Sequence, residues 1–206
     1  MSVSDKVKTV DPATDSELLT LAAIVDEFEG YERPHASRIA DLSVETAKHF
    51  NFASHDLRSL YRSALVHDLG KLVMNRDYVH EDRLLTDEEK IDLQRHPVIG
   101  EQEAAKRGLS RAVQLLVRWH HEWWNGSGYP DGLENEQIPL AARILRVVDT
   151  YIALTEIRPY SIPISDSEAK RYLTEWAGIE FDPTVVKVFL SLNKASEPDS
   201  DDRNAE

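Results

Sequence analysis

Five ionisable residues stand in or at the end of apolar runs, and two more histidines stand at helix ends. His67 and Asp68 end the run SALVHDLGK, His120 and His121 follow QLLVRW, and Asp149 interrupts ILRVVDTYIAL. His96 closes a helical run that opens at Thr86, and His35 lies in the first turn of a helix begun by Pro34. A lone buried histidine is ordinarily a hydrogen-bonded core residue, and a lone aspartate in an apolar helix is as well explained by a salt bridge or a cap. Five histidines and two aspartates in such places need a shared partner, and a divalent cation is the simplest one. The other histidines, His49, His55 and His80, lie in polar stretches near element ends and read as surface residues.

Adjacent residues on a helix point about 100° apart, so neither doublet can chelate as an i,i+4 pair would. Each can still reach one ion if the helix stops there. Asp68 has two oxygens and can bridge two ions while His67 serves one of them. After the histidine doublet, HHEWWNGSGYPDGL is too rich in glycine to stay helical, and its turn lets the chain leave without covering the meeting point. Imidazole and carboxylate suit iron, manganese or zinc, and a chain without cysteine offers no thiolate. Two such ions about 3.5–4 Å apart lower the pKa of a shared water towards about 7 and steady an in-line displacement at phosphorus.

The elements that must position these residues read as helices almost throughout, with no strand-like alternation and no internal repeat. The pattern predicts helices over 15–30, from Pro34 to Phe50, and over 55–71, the last with Leu57, Leu60, Tyr61, Ala64 and Leu65 as its buried stripe. Thr86 with Glu89 and Ser165 with Glu168 are capping-box signals, Ser110 can cap a helix over RAVQLLVRWHHEWW (111–124), and Pro139 and Asp182-Pro183 open two more. The expected fold is all-α: a bundle of about seven or more helices, with a metal centre in its core, over residues 15–193. Residues 1–14 and the acidic tail 194–206 are expected to be disordered.

The formal net charge of −13 disfavours nucleic-acid polymers and anionic membranes as partners. No signal peptide and no apolar run long enough to span a bilayer is evident, so a cytoplasmic address is the expectation. No receiver, PAS or GAF-like segment is evident, and the 30-odd residues before His35 leave room for one short helix. Regulation, if any, is expected from a partner, from metal redox state or from a homodimer contact.

HDLGK (67–71), HPVIG (96–100), HHEWWNGSGYP (120–130) and ILRVVDTYIALTEIRPY (144–160) occur in order, and with them the chain resembles the HD-GYP domains, a branch of the HD metal-dependent phosphohydrolases. The likeness runs from about His35 to Leu190. HD alone is a weak signal; the four stretches together are a strong one. The resemblance implies that His35, His67, Asp68 and Asp149 hold one metal and that Asp68, His96, His120 and His121 hold a second, with Asp68 bridging. It implies that Lys71 faces the scissile phosphate, that Tyr129 and the backbone around Gly128 border the substrate, and that Arg158 contacts phosphate. The implied activity is hydrolysis of cyclic di-GMP to pGpG and on to GMP, with iron or manganese as the metals.

Several positions depart from the family pattern. Ile152 stands where a second aspartate is common, Ser161 where RPY is usually followed by a base, and Asn125 where the turn usually has aspartate. The loop after HDLGK reads LVMNRDY instead of carrying a proline. Tyr31 stands where some members place a glutamate for a third metal, and Glu32 lies on a different face, so two metals are expected. Trp123 and Trp124 could stack on a guanine, although packing in the core or turn explains either one as well. All seven ligands are present, which favours an active enzyme over a non-catalytic module that binds a GGDEF-type partner. Ile152 and Ser161 keep open a phosphohydrolase acting on another nucleotide.

Overall fold

The helices begin where local chemistry stops the backbone from needing water. The computed structural model describes residues 13–79, 81, 83–156 and 162–192. Among these residues are ten α-helices: α1 (Asp15–Phe28), α2 (His35–Ala47), α3 (Ser54–Val66), α4 (Leu69–Met74), α5 (Asp87–Leu93), α6 (His96–Lys106), α7 (Arg111–Trp119), α8 (Leu140–Thr155), α9 (Asp166–Glu175) and α10 (Pro183–Leu192). No strand occurs among the described residues, so the all-α expectation holds. Both capping boxes form: Thr86 Oγ1 accepts from Glu89 N at 3.2 Å and Ser165 Oγ from Glu168 N at 3.3 Å, with each glutamate reaching back to its cap. A third box, Thr14 with Glu17, starts α1, and Ala13 N donates to Arg107 O at 3.2 Å. Residues 13 and 14, expected to be disordered, are therefore structured; 1–12 and 193–206 lie outside the described residues.

Several boundaries differ from the sequence reading, among them the helix expected over 111–124, which stops at Trp119. The helix expected over 55–71 breaks after Val66 and resumes at Leu69, and the helix from Thr86 stops at Leu93, leaving His96 to begin α6. Periodicity carries through such breaks because the apolar stripe continues on both sides.

α8 is the central helix. Ala142, Ile144, Leu145, Val147, Val148 and Ile152 are all buried, so it is apolar nearly all round, as a helix enclosed by others must be. α2 and α3 pack on each other and on α8, while α4, α6 and α7 form a second layer joined through α3. Two glycines allow the helices of the second layer to meet. A Cβ at Gly70 would lie 1.9 Å from His96 O, and one at Gly100 would lie 2.9 Å from a Val117 methyl. No helix among the described residues is long and apolar enough to cross a membrane.

Candidate metal centre

Each doublet sits beyond a helix end. Asp68 leaves helical geometry, with φ −97° and ψ 9°, between α3 and α4, and His120 and His121 follow the last residue of α7. His35 opens α2, His96 opens α6, and Asp149 projects from α8. The bundle brings all seven predicted ligands together as two groups, His35, His67 and Asp149 in one and Asp68, His96, His120 and His121 in the other. Within each group the donor atoms lie within 4.8 Å of one another.

Asp68 joins the groups. Its Oδ2 is 3.0 Å from His67 Nε2, and its Oδ1 is 3.2 Å from His96 Nε2 and 3.8 Å from His120 Nε2. Asp149 Oδ1 lies 3.9 Å from His35 Nε2 and 3.8 Å from His67 Nε2. Donors that share an ion at about 2.0–2.2 Å stand roughly 3–3.5 Å apart, so small inward shifts would suffice. His67 Nε2 and Asp68 Oδ1 are buried and make no hydrogen bond. Orphaned atoms of this kind, in an imidazole and carboxylate set, fit divalent metal ions.

The tautomers point the same way. His67, His96 and His120 each turn Nδ1 to the carbonyl three residues earlier, of Ala64, Leu93 and Val117, at 2.7–2.8 Å. A carbonyl only accepts, so each Nδ1 carries the proton and each Nε2 is turned to the centre, its lone pair there in the neutral ring. Nε2 of His96 and of His120 are 3.3 Å apart with no proton to share between them, an arrangement a cation relieves. His35 Nδ1 instead meets Glu156 Oε2 at 2.7 Å. His121 is the exception: its Nδ1 faces the Arg146 guanidinium at 3.0 Å and must accept.

Electrostatics keep most of the set in ligating form. Burial is the largest influence and raises Asp68 and Asp149, but His67 together with Lys71 and His120 at Asp68, and with Arg146 and His35 at Asp149, outweighs it and holds both below the usual carboxylate range. Burial lowers His96, pushes His120 down to about 4, and takes His121 well below its ordinary value, where His120 and Arg146 add to the effect. These three stay neutral, as metal binding requires. Burial also works against a charge on His67, but Asp68 and Asp149 prevail and raise it to about 9. The field that favours a proton there also favours a metal cation.

Several supporting residues carried no sequence signal. Asp26, buried on α1, accepts from His35 N at 2.8 Å and Ala36 N at 3.2 Å, capping α2 from another helix because Pro34 has no side chain to do so. Glu156 is buried at the end of α8 and also pairs with Arg38. It lies one turn after Ile152, which is in the core, so a carboxylate is present on this helix although the position noted in sequence lacks one. Glu29 is buried and accepts from Lys71 Nζ at 2.8 Å; burial, with the Asp68 charge, pushes it up to about 7. Lys71 Nζ also donates to Asp68 Oδ2 at 2.7 Å.

The glycine turn folds back beneath the doublet. A Cβ on Gly128 would lie 2.2 Å from Trp123 N and 2.5 Å from His121 O, so only glycine lets the strands of the turn meet. Glu122, buried, accepts from Asp131 N at 2.7 Å and Leu133 N at 3.0 Å and closes the turn. Tyr129 N donates to His121 O, and its ring stacks on His121 with centroids 4.9 Å apart; burial pushes its phenol up, so it remains a neutral donor. Tyr31 stacks flat on His35 at 3.8 Å. Trp123 packs edge-on against Trp176, and Arg143 lies over Trp124, so both tryptophans have packing roles. His49 and His55 are exposed as expected; His80, Arg158 and Ser161 lie outside the described residues.

Residues 20–185 match the HD domain family. The chain belongs to the HD domain family. The four motifs are those of its HD-GYP branch. The chain is 33% identical over 176 residues to the cyclic di-GMP phosphodiesterase response regulator RpfG of Xanthomonas campestris, covering 84% of this chain and 46% of that protein. It is 31% identical over 153 residues to 3'3'-cGAMP-specific phosphodiesterase 1 of Vibrio cholerae, covering 73% of this chain and 35% of that protein. The fold resembles the crystal structure of a cyclic GMP-AMP specific phosphodiesterase of V. cholerae, with TM-score 0.70 at 21% identity, over 87% of this chain and 48% of that one. This HD domain thus spans less than half the length of each of these proteins.

Proposed function

We propose that the chain is a metal-dependent phosphodiesterase that hydrolyses cyclic di-GMP to pGpG and on to GMP, with two divalent ions, iron or manganese, at the seven-residue centre. The observation that carries this reading is the inward convergence of Nε2 lone pairs on the two-oxygen Asp68, beside relatives named for cyclic di-GMP hydrolysis. Ions bound there supply Lewis acidity and an activated water nucleophile.

The chain's own residues supply the remainder. Asp68 spans both groups, and its Oδ2 also accepts from Lys71, whose charge is held well above the ordinary range by Asp68 and Glu29 against the effect of burial. Two of the three ammonium N–H bonds go to these carboxylates, and the third is proposed to meet an oxygen of the scissile phosphate. Tyr129 and the backbone at Gly128 border the substrate, with Tyr129 as a neutral O–H donor. Arg158 is the proposed phosphate contact from the stretch after α8. The likeness to the cGAMP-specific enzyme supports a second reading, another cyclic dinucleotide as substrate.

The test is product chromatography. Protein purified without oxygen and loaded with Fe(II) or Mn(II) is given cyclic di-GMP, with a His67→Ala, Asp68→Ala double variant beside it. The expected result is pGpG and then GMP from the wild type, and a rate at least roughly 1000-fold lower in the variant. Metal-loaded protein that cuts 3'3'-cGAMP but not cyclic di-GMP moves the reading to the second substrate. Protein that neither holds metal nor cuts either one overturns it.

A further inference from the structure

Arg146 touches both ligand groups. Its Nη1 lies 3.0 Å from His121 Nδ1 and 3.6 Å from Asp149 Oδ2, one turn before Asp149 on α8. Its Nη2 is anchored on Oε1 of Glu180, a carboxylate only 3% exposed between α9 and α10. The other Glu180 oxygen accepts from Tyr172 Oη at 3.2 Å, and Glu180 O accepts from Trp124 N at 3.1 Å, so the anchor is tied to the glycine turn. Arg146 Nε is buried and makes no hydrogen bond.

A structural ion pair explains the Nη2 end of the guanidinium. Nη1 is instead set as a fixed cation among candidate metal ligands, where it repels metal ions. That cost is recovered when an anion with several acceptor oxygens lies across the centre. Phosphate oxygens match a guanidinium fork in charge and geometry.

Resting on the phosphodiesterase reading, we infer that Arg146 is a substrate-binding residue. Its Nη1 donates to a non-bridging oxygen of the phosphodiester, and Glu180 is the positioning residue that holds the guanidinium in place. The ligand class is a phosphate ester anion, and inorganic phosphate is its smallest member.

The experiment compares wild type, R146Q, R146K and E180Q, all loaded with Mn(II). Four quantities are read: metal per chain, Tm, the Kd for inorganic phosphate by calorimetry, and KM and kcat for bis(4-nitrophenyl) phosphate. R146Q is expected to keep its metal and to raise both the phosphate Kd and KM about tenfold or more. R146K recovers part of the loss, and E180Q shows a smaller rise of the same kind. A lower Tm with unchanged phosphate affinity marks Arg146 as structural and overturns the inference. So does tighter metal binding with unchanged phosphate affinity, which marks it as a tethered stand-in for the ion. Wild type that binds phosphate through Arg146 yet cuts no cyclic dinucleotide overturns the proposed activity and leaves this assignment standing. Wild type that binds no phosphate overturns the assignment.

Discussion

The two halves of the candidate metal centre differ in what holds His35 as against His96 and His120, while His67 leans on the Ala64 carbonyl as those two lean on theirs. In the half built from Asp68, His96, His120 and His121, the oriented imidazoles of His96 and His120 lean on backbone carbonyls three residues earlier, and the helices that carry them meet through glycines. In the half built from His35, His67 and Asp149, the ring of His35 and the helix that bears it are held by side-chain carboxylates, Glu156 and Asp26. A backbone carbonyl survives any substitution, whereas a carboxylate does not. The first half is therefore vulnerable to added bulk, and the second to the loss of a single charge far along the chain.

Three substitutions test that contrast. Gly70→Ala puts a methyl into the carbonyl of His96, and the backbone there has little room to give. It is expected to lower stability by about 3 kcal/mol in denaturant unfolding and to loosen the Asp68–His96 half. A normal midpoint would mean that the helices are less tightly met than their geometry indicates. Glu156→Ala removes the acceptor of His35 Nδ1 and should weaken one of the two proposed ions by about 10–100-fold, leaving the other in place. Metal titration followed by elemental analysis reads this, and an equal loss of both ions would show that the halves do not act separately. Asp26→Ala takes the cap from α2 and should cost about 1 kcal/mol, visible as a small fall in Tm, while metal at the Asp68–His96 half is retained. A metal loss as large as that of Glu156→Ala would make Asp26 part of the ligand support itself.

Legibility differed in the same way. The candidate ligands were readable because His67, Asp68, His120, His121 and Asp149 stand in apolar runs, where an ionisable group is costly without a partner. The capping boxes at Thr86 and Ser165 were readable because both partners lie within one turn. The helix breaks at His67 and ahead of His96 were not, because hydrophobic periodicity persists on both sides of each.

By itself, then, the sequence determined an all-helical chain, the seven candidate ligands that the fold brings together and the turn that follows the histidine doublet. Each of those rests on short-range chemistry or on a residue type that is out of place among its neighbours. The tertiary structure alone decided what holds and surrounds the ligands: Glu156 against His35, 121 residues apart, Asp26 beneath α2, Glu29 behind Lys71, and Arg146 between His121 and Glu180. An acidic residue near the end of a helix is at ease in water, and nothing around it in sequence marks it. Only packing from distant helices buries it and gives it a partner.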